Sequence, residues 1–146
     1  MAKNVTADVA VLAQLLSAKG HKVEIKTLDG ETYLRVADPG DYAYSIFTYG
    51  CDDDGKNCHS IQFYASFAPG KKPSLAAMNQ YSKDYRYGRV YLDKEGDPNI
   101  EWDLYLGLAG INEATFMENF DLWGAMTDGF GDFVFGKDSE NEKPKS

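Results

Sequence analysis

The sequence predicts an α+β fold: a twisted antiparallel sheet of five to six strands with helices packed on one face, in the order α-β-β-β-β-α-β-β-α. Three observations predict it. Helical periodicity appears in three separate segments, short alternating or β-branched runs lie between them with tight-turn signals at their joins, and the strict strand-helix alternation of a parallel doubly wound sheet is absent.

Each element follows from its residues. Thr6 is placed to cap a helix running to about Lys19, with Val9, Leu12, Leu15 and Leu16 on one stripe and Gly20 at the stop. "HKVEIKTL" and "TYLRVA" flank Asp29-Gly30, a pair favoured in hairpin turns. Asp38, Pro39 and Gly40 mark the next turn, and "YAYSIFTYG" and "SIQFYASF" give two further strands. Ser74 caps a second helix in which Leu75, Met78 and Tyr85 share a face. "GRVYLD" and "IEWDLYLG" flank the turn "KEGDPN"; Val90, Leu92, Ile100, Trp102, Leu104 and Leu106 fall on one face, and Arg89, Tyr91, Glu101, Asp103 and Tyr105 on the other. Asn112 caps a third helix carrying Phe116, Phe120, Trp123 and Phe130 at helical spacing. Residues 1–136 read as one domain and 137–146 as a disordered polar tail.

Composition excludes several classes of function. With 43% hydrophobic and 14% aromatic residues in 146, the chain can bury a core. Its net charge of -8 is repelled by phosphate backbones and anionic lipid, so neither nucleic acid nor a membrane is an expected partner. "VAVLAQLL" is too short to span a bilayer and makes no convincing export signal.

Cys51 and Cys58 flank "DDDGKN". Pairing the strands on either side so that the cysteines face each other sets Tyr49 opposite Ser60, Phe47 opposite Gln62 and Ser45 opposite Tyr64. The same register gathers Tyr44, Ile46 and Thr48 with Ile61, Phe63 and Ala65 on a core face. A structural disulfide is the reading this register supports; free thiols, and then metal binding or catalysis, are the alternatives. Zinc would need more ligands than His59 adds, and a redox pair would normally enclose two residues. The consecutive acids Asp52, Asp53 and Asp54 do not have the alternating spacing of a calcium loop. A persistent disulfide points to the periplasm or exterior, with the cytoplasm as the alternative.

No hydrolase elbow, phosphate loop, dinucleotide fingerprint, zinc-protease helix or kinase set is present. Glu101 and Asp103 share a strand face close enough to perturb each other. Aligning Leu92 with Ile100 places Tyr91 opposite Glu101 and Arg89 opposite Asp103, so a cross-strand ion pair accounts for them without catalysis. No catalytic residue, metal site or cofactor is expected. Arg86, Arg89, Tyr91, Glu101, Asp103 and Tyr105 form a candidate polar and aromatic surface for a protein or peptide.

"YGCDDDGKNCHSIQFYASF", "LAAMNQYSKDYRYGRVYLDKEGDPNIEWDLYL" and "FMENFDLWGAMTDGFGDFVF" together resemble the YbjN-like family, bacterial domains described as sensory transduction regulators. The likeness runs from about Ala7 to Phe135; Tyr81 and Ser82 stand where Trp and Asn are usual. The resemblance implies a fold similar to type III secretion chaperones, no catalytic residues, frequent export of members with this cysteine pair, and a possible homodimer. The expectation is therefore a non-enzymatic, chaperone-like binding or regulatory domain with a protein or peptide partner. A small-ligand sensor or carrier with a pocket between helices and sheet is the alternative, and a hydrolase centred on Glu101 and Asp103 comes third.

Overall fold

The computed structural model describes residues 4–137. The expected tail, apart from Lys137, lies outside the described residues. Three helices and six strands follow the expected order: α1 (Val9–Ala18), β1 (Val23–Leu28), β2 (Glu31–Val36), β3 (Tyr44–Tyr49), β4 (Ser60–Ser66), α2 (Leu75–Asp84), β5 (Arg89–Leu92), β6 (Pro98–Tyr105) and α3 (Glu113–Val134). The strands form one antiparallel sheet in the order β1-β2-β3-β4-β6-β5. Among the described residues no helix is long and apolar enough to cross a membrane.

Capping accounts for the helix boundaries. Asn112 accepts from the Thr115 amide at 2.8 Å and Ser74 from Ala77 at 3.0 Å, both as expected. α1 begins later than expected, because Asp8 rather than Thr6 accepts the Val11 amide, at 3.0 Å. The residues before it are held extended: Val5 exchanges both backbone hydrogen bonds with Ile111, at 2.7 and 3.0 Å. Gly20 ends α1 with a φ of 97°, a conformation that costs a residue without Cβ little. In α2 the expected stripe shifts. Leu75 is 68% exposed, and Met78, Tyr81 and Tyr85 carry the contact because the last turns of α3 offer Phe130 and Phe133 to the Tyr81 ring, with centroids 5.2 and 4.7 Å away.

The β3–β4 register is the one the alternation predicts: Ser45 pairs with Tyr64, Phe47 with Gln62, Tyr49 with Ser60, and Ile46 with Phe63. A disulfide joins Cys51 to Cys58 beyond the last of these pairs. Leu34, Ile46, Ile61, Phe63, Ala65 and Ile100 turn to the helix side and are all buried. There α3 lays Phe116, Phe120, Trp123 and Phe130 along the sheet, and α1 adds Leu12 and Leu16. Trp123 stacks on Phe63 at 5.2 Å and meets Tyr44 edge-on at 5.7 Å. Its buried indole N–H finds no acceptor among the described residues, so the ring contributes through packing. Gly131 permits one close approach: a Cβ there would sit 2.3 Å from the Tyr42 ring.

Two substitutions separate what sets the register from what clips it. Phe63→Ala is expected to cost about 3–5 kcal/mol in urea denaturation. Replacing both cysteines by Ala should cost about 2 kcal/mol, because the loop they close is short. Hydrogen exchange should show the β3–β4 amides still protected in the cysteine-free protein.

Candidate functional site

Alternation leaves the other sheet face without a helix over it among the described residues. The pairings place its side chains in rows across the strands. One runs Glu24, Arg35, Ser45, Tyr64, Glu101, Arg89; the next runs Lys26, Tyr33, Phe47, Gln62, Asp103; a third holds Tyr49, Ser60 and Tyr105. Tyr33 stacks on Phe47 at 5.1 Å and Phe47 meets Tyr64 at 5.9 Å, so aromatic surface is continuous over three strands.

The expected β5–β6 register is corrected by two residues. Arg89 pairs with Glu101, Tyr91 with Asn99 and Leu92 with Pro98. The turn causes the shift: Asp93 Oδ1 accepts the amides of Glu95 and Asp97 at 3.0 and 2.9 Å, and the backbone closes between Asp93 and Asp97. A two-residue slip preserves the faces, so the candidate residues remain on one surface with changed partners. Glu101 becomes the hub. Its Oε1 accepts from Arg89 Nη2 at 2.5 Å and Nε at 2.9 Å, and its Oε2 from the Tyr91 hydroxyl at 2.5 Å. Asp103 lies 3.5 Å from Arg89 Nη1 and accepts from Gln62 at 3.0 Å.

Glu101 is 8% exposed, and its donors fix the carboxylate in place. The hydrogen bond from Arg89 to Glu101 holds the guanidinium above its ordinary range. Burial raises the Tyr91 phenol, and its bond to Glu101 adds to the shift. Burial also raises Tyr49, with the charges of Glu101, Asp103 and Glu31 reinforcing it. Chemically this is a braced ion pair with an aromatic surround.

Arg86 is exposed in the connection between α2 and β5, off the sheet face. Tyr105 is on the face and 72% exposed. Sequence reasoning missed Gln62, Tyr64 and Asn99. Asn99, 1% exposed, accepts from the Tyr64 hydroxyl at 2.6 Å and donates to Asp93 at 3.1 Å, joining the face to the turn. The outward positions of β4 carried the signal for the first two; nothing local marked Asn99.

Asp93, Glu95 and Asp97 bring carboxylate oxygens within 4.8 Å of one another. Lys72 Nζ already sits 3.0 Å from Asp97 and 2.7 Å from the Glu95 carbonyl, and Asp93 is engaged by the turn amides. Those amides and Asn99 hold the Asp93 carboxyl below its ordinary value. Turn closure therefore explains these acids.

A family model described as "YbjN: Putative bacterial sensory transduction regulator" matches residues 8–135. The chain belongs to the YbjN family. Neither the curated proteins nor the solved structures searched gave a match. YbjN is described as a regulator rather than an enzyme, in keeping with a non-enzymatic regulatory domain.

Tyr44, Tyr81 and Tyr91 are each raised above the ordinary 10.0, burial being the largest cause, and Tyr42 is pushed up to about 12 by burial and its bond to Asp132. A raised value in the folded state means that the stability these groups contribute is complete below pH 10 and is lost as pH rises above it. Phenolate absorbance of the folded protein should therefore lag that of the urea-unfolded chain, and the urea midpoint should fall above pH 10. Tyr91→Phe should remove part of that fall.

Proposed function

We propose that this YbjN chain is a non-enzymatic regulatory domain that recognises a protein partner through the open sheet face, and that the segment it takes is basic. The observation that carries this reading lies at one end of the face. Tyr49 and Tyr105, 49% and 72% exposed, flank Ser60 in one row. Carboxylates whose charge reaches Tyr49 stand on the same face: Glu101, Asp103 and, exposed at the start of β2, Glu31. Accessible phenol rings beside carboxylates suit the stem and head of a partner's Lys or Arg. The overall charge of -8 favours the encounter. Arg89 and Glu101 brace the strands below and keep the platform rigid.

The disulfide supports an exported form working in an oxidising compartment. A small-ligand role has one observation in its favour. An open cleft of about 490 Å³ lies between the start of α1, the inward side of β1 to β3, and the disulfide loop, lined by Val9, Ile25, Thr48 and Lys56 among others.

Calorimetric titration with an extended Lys- and Arg-rich peptide should give saturable binding that weakens with salt, while a matched acidic peptide should give none. Tyr105→Ala and Tyr49→Ala should each weaken it about tenfold, as losing an exposed anchor at a small interface does. Equal binding of both peptides, or indifference to the two tyrosines, would overturn the reading.

A further inference from the structure

We propose that the outer edge of β1 pairs with β1 of a second copy, antiparallel about a two-fold axis through Ile25, to make one continuous sheet across two molecules. This goes beyond the open-face reading and does not depend on it.

The two ends of the sheet are unequal. β5, at one edge, has four residues, two of them exposed; a helix packs against each edge strand, α2 on β5 and α1 on β1. β1, at the other, has six, with no proline, and five of them are exposed. Long, exposed edges are templates for strand addition. The backbone polarity of this edge can be worked out. The Ala37 amide donates to the Lys22 carbonyl at 3.0 Å, so even-numbered residues of β1 turn their peptide groups towards β2. Val23, Ile25 and Thr27 consequently turn theirs outward, away from the sheet.

A second copy is the occupant because the strand is complementary to itself in one register. With Ile25 opposite its own copy, the outward groups of Val23, Ile25 and Thr27 meet those of Thr27, Ile25 and Val23, and about six backbone hydrogen bonds form. The same register sets each Glu24 opposite the partner's Lys26, giving two cross-strand ion pairs on the open face. Within one molecule Glu24 and Lys26 stand 3.9 Å apart, both largely exposed, and so are available for that exchange. On the helix side the two Ile25 side chains meet, covering a residue that is 54% exposed in the single chain. Moving the axis to Thr27 would set Lys26 opposite Leu28 and lose the charge match; moving it to Val23 would set Glu24 opposite Lys22 but part the isoleucines and leave Lys26 facing Gly20, so that of these registers the Ile25 one makes Lys26→Glu disruptive.

The test is sedimentation of the full chain over a dilution series. The unmodified protein is expected to be a reversible dimer. Glu24→Lys places Lys opposite Lys twice and Lys26→Glu places Glu opposite Glu twice; each should weaken association about tenfold, less at high salt. The double variant E24K/K26E restores opposite charges and should return association to within about threefold of the original. Amide exchange at Val23, Ile25 and Thr27 should slow as concentration rises. A monomer at every concentration would overturn the proposal. So would single reversals without effect, a double variant as weak as the singles, or edge amides indifferent to concentration.

Discussion

The pairing of Ile46 with Phe63 is the constraint on which the rest of the molecule depends. Because strand side chains alternate, one matched inward pair in two adjacent strands decides the side of every other residue on them. Phe63 lies flat on Trp123 of α3, and Trp123 meets Tyr44 on the neighbouring strand, so a single indole locks sheet and helix together. Sliding β4 by one residue would put Gln62 and Tyr64 under α3 and bury polar groups there without partners, which is far costlier than any loss at the hairpin tip.

This explains which parts were legible in the sequence. Where apolar alternation was unbroken, as in β3 and β4, faces and register could both be read, and the cysteine pairing came with them. In β5 and β6 the faces were equally clear, yet the register was off by two. Alternation repeats every two residues and cannot distinguish those alignments; the Asp93 side chain chooses between them by closing the turn. Local capping rivals likewise lie beyond periodicity, since Thr6 and Asp8 are both competent caps and only the bridge from Val5 to Ile111 excludes the first. Arg89, Tyr91, Glu101, Asp103 and Tyr105 were visible as one face of a hairpin. Gln62 and Tyr64 joined them only because β6 inserts between β4 and β5, a long-range neighbour relation that no short window of sequence contains.

The corrected register matters for the site's electrostatics. With Arg89 opposite Asp103, Glu101 would have faced only a phenol. In the structure Glu101 receives Arg89 directly and Tyr91 from the diagonal, while Asp103 keeps the outer edge of the same guanidinium. A buried carboxylate deprived of its cation is strongly unfavourable, so this arrangement penalises alternative alignments more than it adds net stability. The braced pair is thus better understood as a device for holding β5 and β6 in one relation.

The disulfide can be weighed in the same terms. Its loop is already organised by its own hydrogen bonds: Asp52 and Lys56 at 2.7 Å, Gly55 and Asp52 at 2.8 Å, and Asn57 with the Asp52 carboxylate at 2.7 Å. A short bridge over such a loop adds little to the global free energy compared with the aromatic core. What it restricts is the hinge at Gly50, where the chain leaves Tyr49 with a positive φ of 72°. With the bridge in place, Gly55, Lys56, Asn57 and Cys58 stay beside the start of α1 as one wall of the cleft; without it, that wall could swing away about Gly50. The cysteines therefore act on the shape of that cleft wall more than on whether the protein folds.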